Sequence, residues 1–146
     1  MKLTTKTRYG VRALLEIARQ YGGQPVSLKE IAGRQSLSLK YLERLASNLQ
    51  RAGVLDSVRG ARGGYALSRH PEQINLREIY EVLEGGGGFV DCTTEPAGCE
   101  VAGACVTREV WARMYEAGMQ VLESTTLADL VQRMQQGETS RPMYYI

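Results

Sequence analysis

The chain has 146 residues, of which 43% are hydrophobic and 23% charged, enough for one domain with its own core. No apolar run approaches the roughly 18 residues that a membrane helix needs, and no signal-peptide pattern opens the chain, so we expect a cytoplasmic protein. The net charge of +2 conceals an asymmetry, because residues 1–69 carry 13 Lys and Arg against 4 Asp and Glu, and residues 70–146 carry 5 against 12. A basic half joined to an acidic half is typical of a nucleic-acid-binding module attached to a second element.

Three helices are predicted in the basic half. The first covers residues 4–21, where apolar residues recur at helical spacing. The second begins at Ser27, which opens an S-x-x-E capping box, and the third runs from the capping residue Ser38 to the stop at Gly53. Two basic residues near the start of the first helix are expected to reach a DNA phosphate backbone: Lys6 and Arg8.

The second and third helices have the spacing of a helix-turn-helix. Residues 35–37 form a tight connection between them, and in such a motif the second helix enters the major groove of DNA. The polar face of the third helix is therefore the predicted recognition face. It comprises Ser38, Lys40, Tyr41, Glu43 and Arg44.

A predicted β-hairpin follows directly. Residues 54–58 and 65–67 are β-prone and flank the sequence RGARGG, which spans residues 59–64. Its glycines allow close approach to DNA, and Arg59 or Arg62 could lie in a narrow minor groove. Because a hairpin placed after a helix-turn-helix is the wing of a winged helix, we predict a mainly α fold with a small β-wing that binds double-stranded DNA.

A short linker and a fourth helix complete the predicted DNA-binding domain, residues 1–84. The linker, residues 68–73, contains His70, the single histidine of the chain. A lone histidine beside a proline is more often a polar turn residue than a ligand. The fourth helix begins at Asn75, and four glycines, Gly85–Gly88, end it.

All three cysteines lie in the next predicted segment, a loop spanning residues 85–106. Cys92, Cys99 and Cys105 fall within 14 residues, and clustered thiols in a reducing compartment more often indicate metal or redox chemistry than structural disulfides. Thiolates suit an iron–sulfur cluster best here; bare thiols, which include a redox switch through a disulfide, are the second interpretation, and zinc is the third. A fourth ligand could come from a nearby carboxylate, a partner residue, solvent or a small thiol; the candidates kept are Glu109 and His70.

The last predicted segments are two helices within residues 107–136 and a tail at 137–146. Apolar residues recur along residues 107–123, and a winged helix alone offers this long helix little core to cover. We therefore expect it to form a homodimer interface in preference to packing within its own chain. The apolar residues assigned to the stripe are Val110, Trp111, Met114, Val121 and Leu122.

The sequence resembles the IscR-like family of bacterial winged-helix transcription regulators, almost throughout and to about Met134. The specific segments are KLTTKTRYGVRALLEIA, SLKEIAGRQSLSLKYLERLASNLQRAGVLDSVRGARGGYALSR, the three-cysteine loop and STTLADLV. The resemblance implies a homodimer on a palindromic operator, with an iron–sulfur cluster on the cysteine loop, 2Fe–2S in preference to 4Fe–4S. It also implies that Glu43 reads bases, that Arg59 reaches the minor groove and that the three cysteines are cluster ligands.

The sequence departs from the family at the fourth ligand. In one branch a histidine lies three residues after the last cysteine, where this chain has Arg108, and in another an aspartate ligates from a position occupied here by Arg8. The leading hypothesis is a regulator that senses cluster supply or redox stress. The alternatives are a cofactor-free repressor under thiol-redox or partner control, and an iron–sulfur carrier. The absence of a phosphate-cradling loop or a nucleophile–base arrangement argues against an enzyme.

Overall fold

The computed structural model describes residues 2–88 and 90–139. In chain order the elements are α1 Thr5–Ala18, α2 Leu28–Gln35, α3 Leu39–Arg51, β1 Leu55–Val58, β2 Gly64–Leu67, α4 Leu76–Glu84, α5 Asp91–Thr94, α6 Val106–Glu123 and α7 Leu127–Thr139. The prediction of a mainly α fold with a small β-wing is confirmed. Within the described ranges no helix is long and apolar enough to cross a membrane.

The predicted capping residues begin the helices. The side chain of Ser27 accepts a hydrogen bond from the amide of Lys29, and Asn75 accepts one from Glu78. At the start of α7 the capping is reciprocal, since the Thr126 hydroxyl accepts from the Asp129 amide at 3.1 Å and the Asp129 carboxylate accepts from the Thr126 amide at 2.8 Å. Each bond satisfies a donor that the first turn of a helix leaves unpaired.

The hydrophobic core lies where α1, α2, α3 and α4 meet the hairpin. Its fully buried members include Leu14, Ile31, Leu42, Leu49, Leu55, Ile74, Ile79 and Leu127. Leu127 belongs to α7, so the chain returns to the winged helix after α6. The amide of Leu127 donates to the carbonyl of Ile74 at 2.9 Å, which fixes this return. The winged helix and the closing helix α7 therefore share one core.

The hairpin has a defined strand register and is bonded to the rest of the domain. β1 and β2 pair antiparallel from Leu55 opposite Leu67 to Val58 opposite Gly64. Val26 adds a strand-like bridge to Tyr65, with two backbone hydrogen bonds of 2.9 Å each. This bridge ties the wing to the segment that leads into α2.

Helix α6 carries apolar residues on two opposite faces. Val106, Val110, Met114 and Val121 are 86%, 50%, 48% and 64% exposed, and the α-helical repeat of about 100° per residue places them within about 80° of one another. Met119 is fully buried on the other side. The predicted single stripe therefore mixed two faces, because the half-buried Leu122 lies toward the side of Met119, while Trp111, which is 38% exposed, lies between the two faces.

The end of α7 differs from the expectation. We predicted a tail from Gly137, and the helix extends to Thr139. The remainder of the predicted tail, residues 140–146, lies outside the described residues, as does the apolar segment at 143–146.

Candidate DNA-binding surface and cysteine loop

The predicted recognition face is exposed on α3. Leu42, Leu45 and Leu49 are buried, and the opposite side presents Lys40, Glu43 and Arg44 to solvent. Ser38 caps the helix, and its hydroxyl accepts a hydrogen bond from the amide of Tyr41. The geometry brings four of the five predicted residues onto one accessible surface; the fifth, Tyr41, is half-buried.

Tyr41 links α3 to α1. Its hydroxyl lies 3.3 Å from the hydroxyl oxygen of Thr5, and its ring packs edge-on against Tyr9 with centroids 6.2 Å apart. Thr5 and Tyr9 lie one helical turn apart in α1 and therefore share a face. The contacts align the start of α1 with the start of the recognition helix.

The connection between α2 and α3 is fixed by its backbone. Ser36 has φ 52° and ψ 46°, a left-handed conformation that few residues other than glycine adopt. Arg12 of α1 donates to both the side chain and the carbonyl of Gln35, at 2.8 and 3.3 Å. These bonds hold the end of α2 and set the angle at which α3 leaves it.

Three further residues of α3 adjoin the predicted recognition face. Lys40, Glu43 and Arg44 line an open groove that continues along Ser47, Asn48 and Arg51. We did not predict these last three. Ser47 and Asn48 follow Arg44 by three and four residues, and Arg51 follows them at the same intervals, which is the spacing of one helical face.

The remaining predicted DNA contacts are basic and exposed. Lys6 and Arg8 lie in the first turns of α1, and Arg59 and Arg62 lie at the tip of the wing, whose turn is closed by a bond from the Gly63 amide to the Gly60 carbonyl at 3.0 Å. Within the described part of the chain, no carboxylate pairs with any of these four cations. Their charges are therefore free to meet phosphates.

The three cysteines occupy three different local structures. Cys92 lies in the short helix α5, Cys99 follows a 3-10 turn at Pro96–Gly98, and Cys105 caps α6. All three are free, half-exposed thiols. The Thr107 hydroxyl, 3.3 Å from the sulfur, lowers the pKa of Cys105, and the amides of Arg108 and Thr107 lower it further. The start of α6 therefore favours the thiolate form of Cys105.

Arg108 connects the two ends of the cysteine loop. It lies in the first turn of α6, and its Nε donates a hydrogen bond of 2.9 Å to the carbonyl oxygen of Cys92. The position that the resemblance assigns to a histidine ligand thus holds a cation that binds the loop backbone. The loop is attached to α6 at both Cys105 and Arg108.

Thiolates are suitable ligands for a soft metal centre. In the described loop, however, the three cysteines are not arranged as a metal site. Among residues 2–88 and 90–139, no three side chains of the His, Cys, Asp and Glu types stand close enough together to hold a metal ion. Glu109 is on the first turn of α6. His70 packs edge-on against Tyr21, and its Nδ1 accepts from the Glu72 amide at 3.3 Å.

The fold and sequence match known proteins throughout. Residues 3–133 match the model of the Rrf2 family, described as an iron-dependent transcriptional regulator. The chain is 44% identical over 131 residues to protein rrf2 of Nitratidesulfovibrio vulgaris, covering 90% of this chain and 87% of that protein. It is 43% identical to CymR of Bacillus subtilis, with full coverage of both.

Solved structures agree with these matches. The structure of CymR, the global cysteine regulator of B. subtilis, gives a TM-score of 0.78 at 42% identity, covering 91% of this chain and 98% of that one. The structure of T. potens IscR gives a TM-score of 0.79 at 40% identity, covering 99% and 97%. The expected resemblance to IscR-like regulators is confirmed, and CymR is an equally similar relative.

Proposed function

Because the chain belongs to the Rrf2 family of DNA-binding transcriptional regulators, which are not enzymes, we propose that it binds a palindromic operator under the control of its three-cysteine loop. The observation that carries this proposal is the attachment of the loop to α6. Cys105 is the residue directly before this helix, and Arg108 in its first turn donates a hydrogen bond to the backbone of Cys92. A chemical change at the thiols therefore acts directly on the longest helix.

Helix α6 is the proposed homodimer interface. Val106, Val110, Met114 and Val121 form an exposed apolar face along its length, and one subunit alone leaves these side chains in water. A second copy presents the same face, as a two-fold interface requires. Two recognition helices are then brought to the two halves of a palindrome.

At the operator, we assign Glu43 to base reading and Ser38, Lys40, Tyr41 and Arg44 to the surrounding contacts on α3. Lys6 and Arg8 contact the phosphate backbone, and Arg59 and Arg62 enter the minor groove. Support comes from their exposure and from the absence of carboxylate partners for the cations at α1 and the wing within the described residues. Phosphate contacts position the protein, and base contacts select the sequence.

The cysteine loop is the proposed site of an iron–sulfur cluster, 2Fe–2S in preference to 4Fe–4S. Cys92, Cys99 and Cys105 would hold it, and the lowered pKa of Cys105 favours the ionised form that ligation needs. Such a cluster supplies one-electron redox chemistry and sensitivity to oxidants. Of the fourth ligands proposed, Glu109 is better placed than His70, because it lies in the first turn of the helix that directly follows Cys105, whereas His70 packs against Tyr21.

The test is purification without oxygen, followed by absorption and EPR spectra and operator binding. The operator is first selected from random duplexes. We expect iron and sulfide in the wild type, their loss in Cys92→Ala, Cys99→Ala and Cys105→Ala, and different operator affinities for loaded and metal-free protein. Val101→Ala alters an exposed side chain of the same loop and should change neither the spectra nor the affinity. Equal affinity of loaded and metal-free protein would refute control by the cluster.

A cofactor-free thiol regulator of the same fold is the second candidate, and the three free, half-exposed thiols are accessible to an oxidant. CymR, whose published structure calls it a cysteine regulator, is as similar to this chain as IscR is. In that case metal-free protein changes its operator affinity on mild oxidation, and Cys105→Ser abolishes the response. DNA binding itself distinguishes both candidates from an iron–sulfur carrier. A carrier would not bind a palindromic duplex with an affinity that falls steeply as the salt concentration rises.

A further inference from the structure

Glu84, the last residue of α4, makes an unusual contact with the start of α1. One carboxylate oxygen, Oε1, accepts three hydrogen bonds: from the Thr4 amide at 3.0 Å, from the Thr4 hydroxyl at 2.7 Å and from the Thr7 hydroxyl at 2.6 Å. The donors lie 77 and 80 positions away in the sequence. Thr7 is a buried polar residue, so this contact satisfies a hydroxyl that water does not reach.

The negative charge of Glu84 is stabilised by the N-terminus of α1. Within the described residues, no Lys or Arg forms an ion pair with it. Burial alone would raise the pKa of Glu84, and the hydrogen bonds from Thr7 and Thr4 outweigh burial and lower it. The carboxylate therefore complements the unpaired amides and the positive end of the α1 dipole.

The contact continues into the part of α1 that carries the proposed DNA contacts. The Thr4 hydroxyl donates to Glu84 and accepts from the amide of Lys6 at 3.1 Å, so it relays the position of the carboxylate to Lys6. Further along α1 the same two helices also pack closely, since a Cβ on Gly10 would lie 2.4 Å from the Leu83 side chain of α4. α4 thus fixes the first turn of α1 in place.

We propose that Glu84 is a positioning residue for DNA binding, which holds the first turn of α1 so that Lys6 and Arg8 meet the phosphate backbone. This inference rests on the phosphate contacts proposed for those two residues. It predicts that removing the negative charge of Glu84 weakens DNA binding, the opposite of the usual effect. Removing a negative charge from a DNA-binding protein usually strengthens binding by reducing repulsion, whereas loss of positioning weakens it.

The test compares Glu84→Gln with Glu72→Gln, which removes the same charge from a side chain that is 75% exposed. Affinity for an operator duplex is measured across a range of salt concentrations. We expect Glu84→Gln to bind about fivefold to tenfold more weakly, with a salt slope reduced by about one phosphate contact. Glu72→Gln should bind as tightly as the wild type or slightly more tightly, with an unchanged slope. Equal affinities and slopes for both variants would overturn the proposal.

A second pair of variants tests the proposal even if Glu84→Gln folds poorly. Thr7→Val removes one donor and keeps the side-chain shape, while Thr7→Ser keeps the donor. The expected result is a reduced slope in Thr7→Val, its recovery in Thr7→Ser, and faster amide hydrogen exchange at residues 5–8 in Thr7→Val alone. An unchanged slope in Thr7→Val would count against Glu84.

The phosphate contacts are tested separately with Lys6→Ala and Arg8→Ala in the wild-type background. If these reduce the salt slope and Glu84→Gln does not, the contacts stand and the positioning role falls. If Lys6→Ala and Arg8→Ala leave the slope unchanged, the assignment of α1 to the phosphates is wrong, and the role of Glu84 falls with it.

Discussion

Replacing Gly64 with Ala tests how the wing is attached to the domain. A Cβ at this position would lie 2.4 Å from the carbonyl oxygen of Val26 and 2.6 Å from its carbonyl carbon. Both atoms belong to the main chain, so no change of rotamer relieves the contact. The hairpin must move away from Val26, which breaks the bridge to Tyr65.

The size of the effect follows from that bridge. It contains two backbone hydrogen bonds of 2.9 Å, and their loss at about 0.5–1.5 kcal/mol each destabilises the fold by about 1–3 kcal/mol. If the hairpin instead stayed in place, overpacking of the new methyl group against Val26 would destabilise the fold by a similar ~1–3 kcal/mol. Operator affinity should fall about tenfold, because Arg59 and Arg62 move with the hairpin while α3 keeps its place.

Urea unfolding measures the first effect and operator titration the second. The matched control is Gly33→Ala in α2, where no atom lies within 4 Å of the new Cβ; better helix propensity should stabilise it by up to ~1 kcal/mol. The urea midpoint of Gly64→Ala should fall without a change in slope. If Gly64→Ala unfolds at the wild-type urea concentration, the main-chain contact does not constrain the wing and the reasoning is wrong.

Three other changes have definite expected outcomes. Arg59→Ala should weaken operator binding and reduce the salt slope by about one, and an unchanged slope would exclude a phosphate or minor-groove contact. Glu43→Ala should relax base choice more than affinity; equal losses on operator and random DNA would exclude base reading. Because its pKa is lowered, Cys105 in metal-free protein should be alkylated at a lower pH than a free thiol near 8.5, and Thr107→Val should raise that pH. A Thr107→Val profile identical to that of the wild type would contradict the hydrogen bond as the cause.

Local signals allowed most of the winged helix to be predicted. Ser27, Ser38 and Asn75 cap helices whose starts depend on residues within one turn, and the glycines of the wing permit a tight turn next to β-prone segments. The same applies to the opposition of Glu43 and Leu45 on α3, which follows from helical periodicity.

Contacts between distant residues left no such signal. Glu84 looks in sequence like an ordinary polar residue before a glycine stop, and its role depends on Thr4 and Thr7 in another helix. Tyr41 was predicted among the DNA contacts, and its hydroxyl also meets Thr5. A periodic pattern predicts which face of a helix is polar, and only the packing of several helices decides which polar groups meet.

Helix α6 physically connects the cysteine loop to the proposed subunit interface. The pattern predicted one apolar stripe, and in the fold Val110 and Met114 lie on an exposed face while Leu122 lies toward the side of the buried Met119. Arg108 lies on the side of Met119, one helical turn after Cys105, and holds the backbone of Cys92. Any rearrangement that gathers the thiols must therefore pull on the inner side of α6, while its outer side carries the proposed contact with the second subunit. In the proposed dimer, a rigid α6 would transmit such a displacement to the spacing of the two α3 helices without any change inside the winged helix itself.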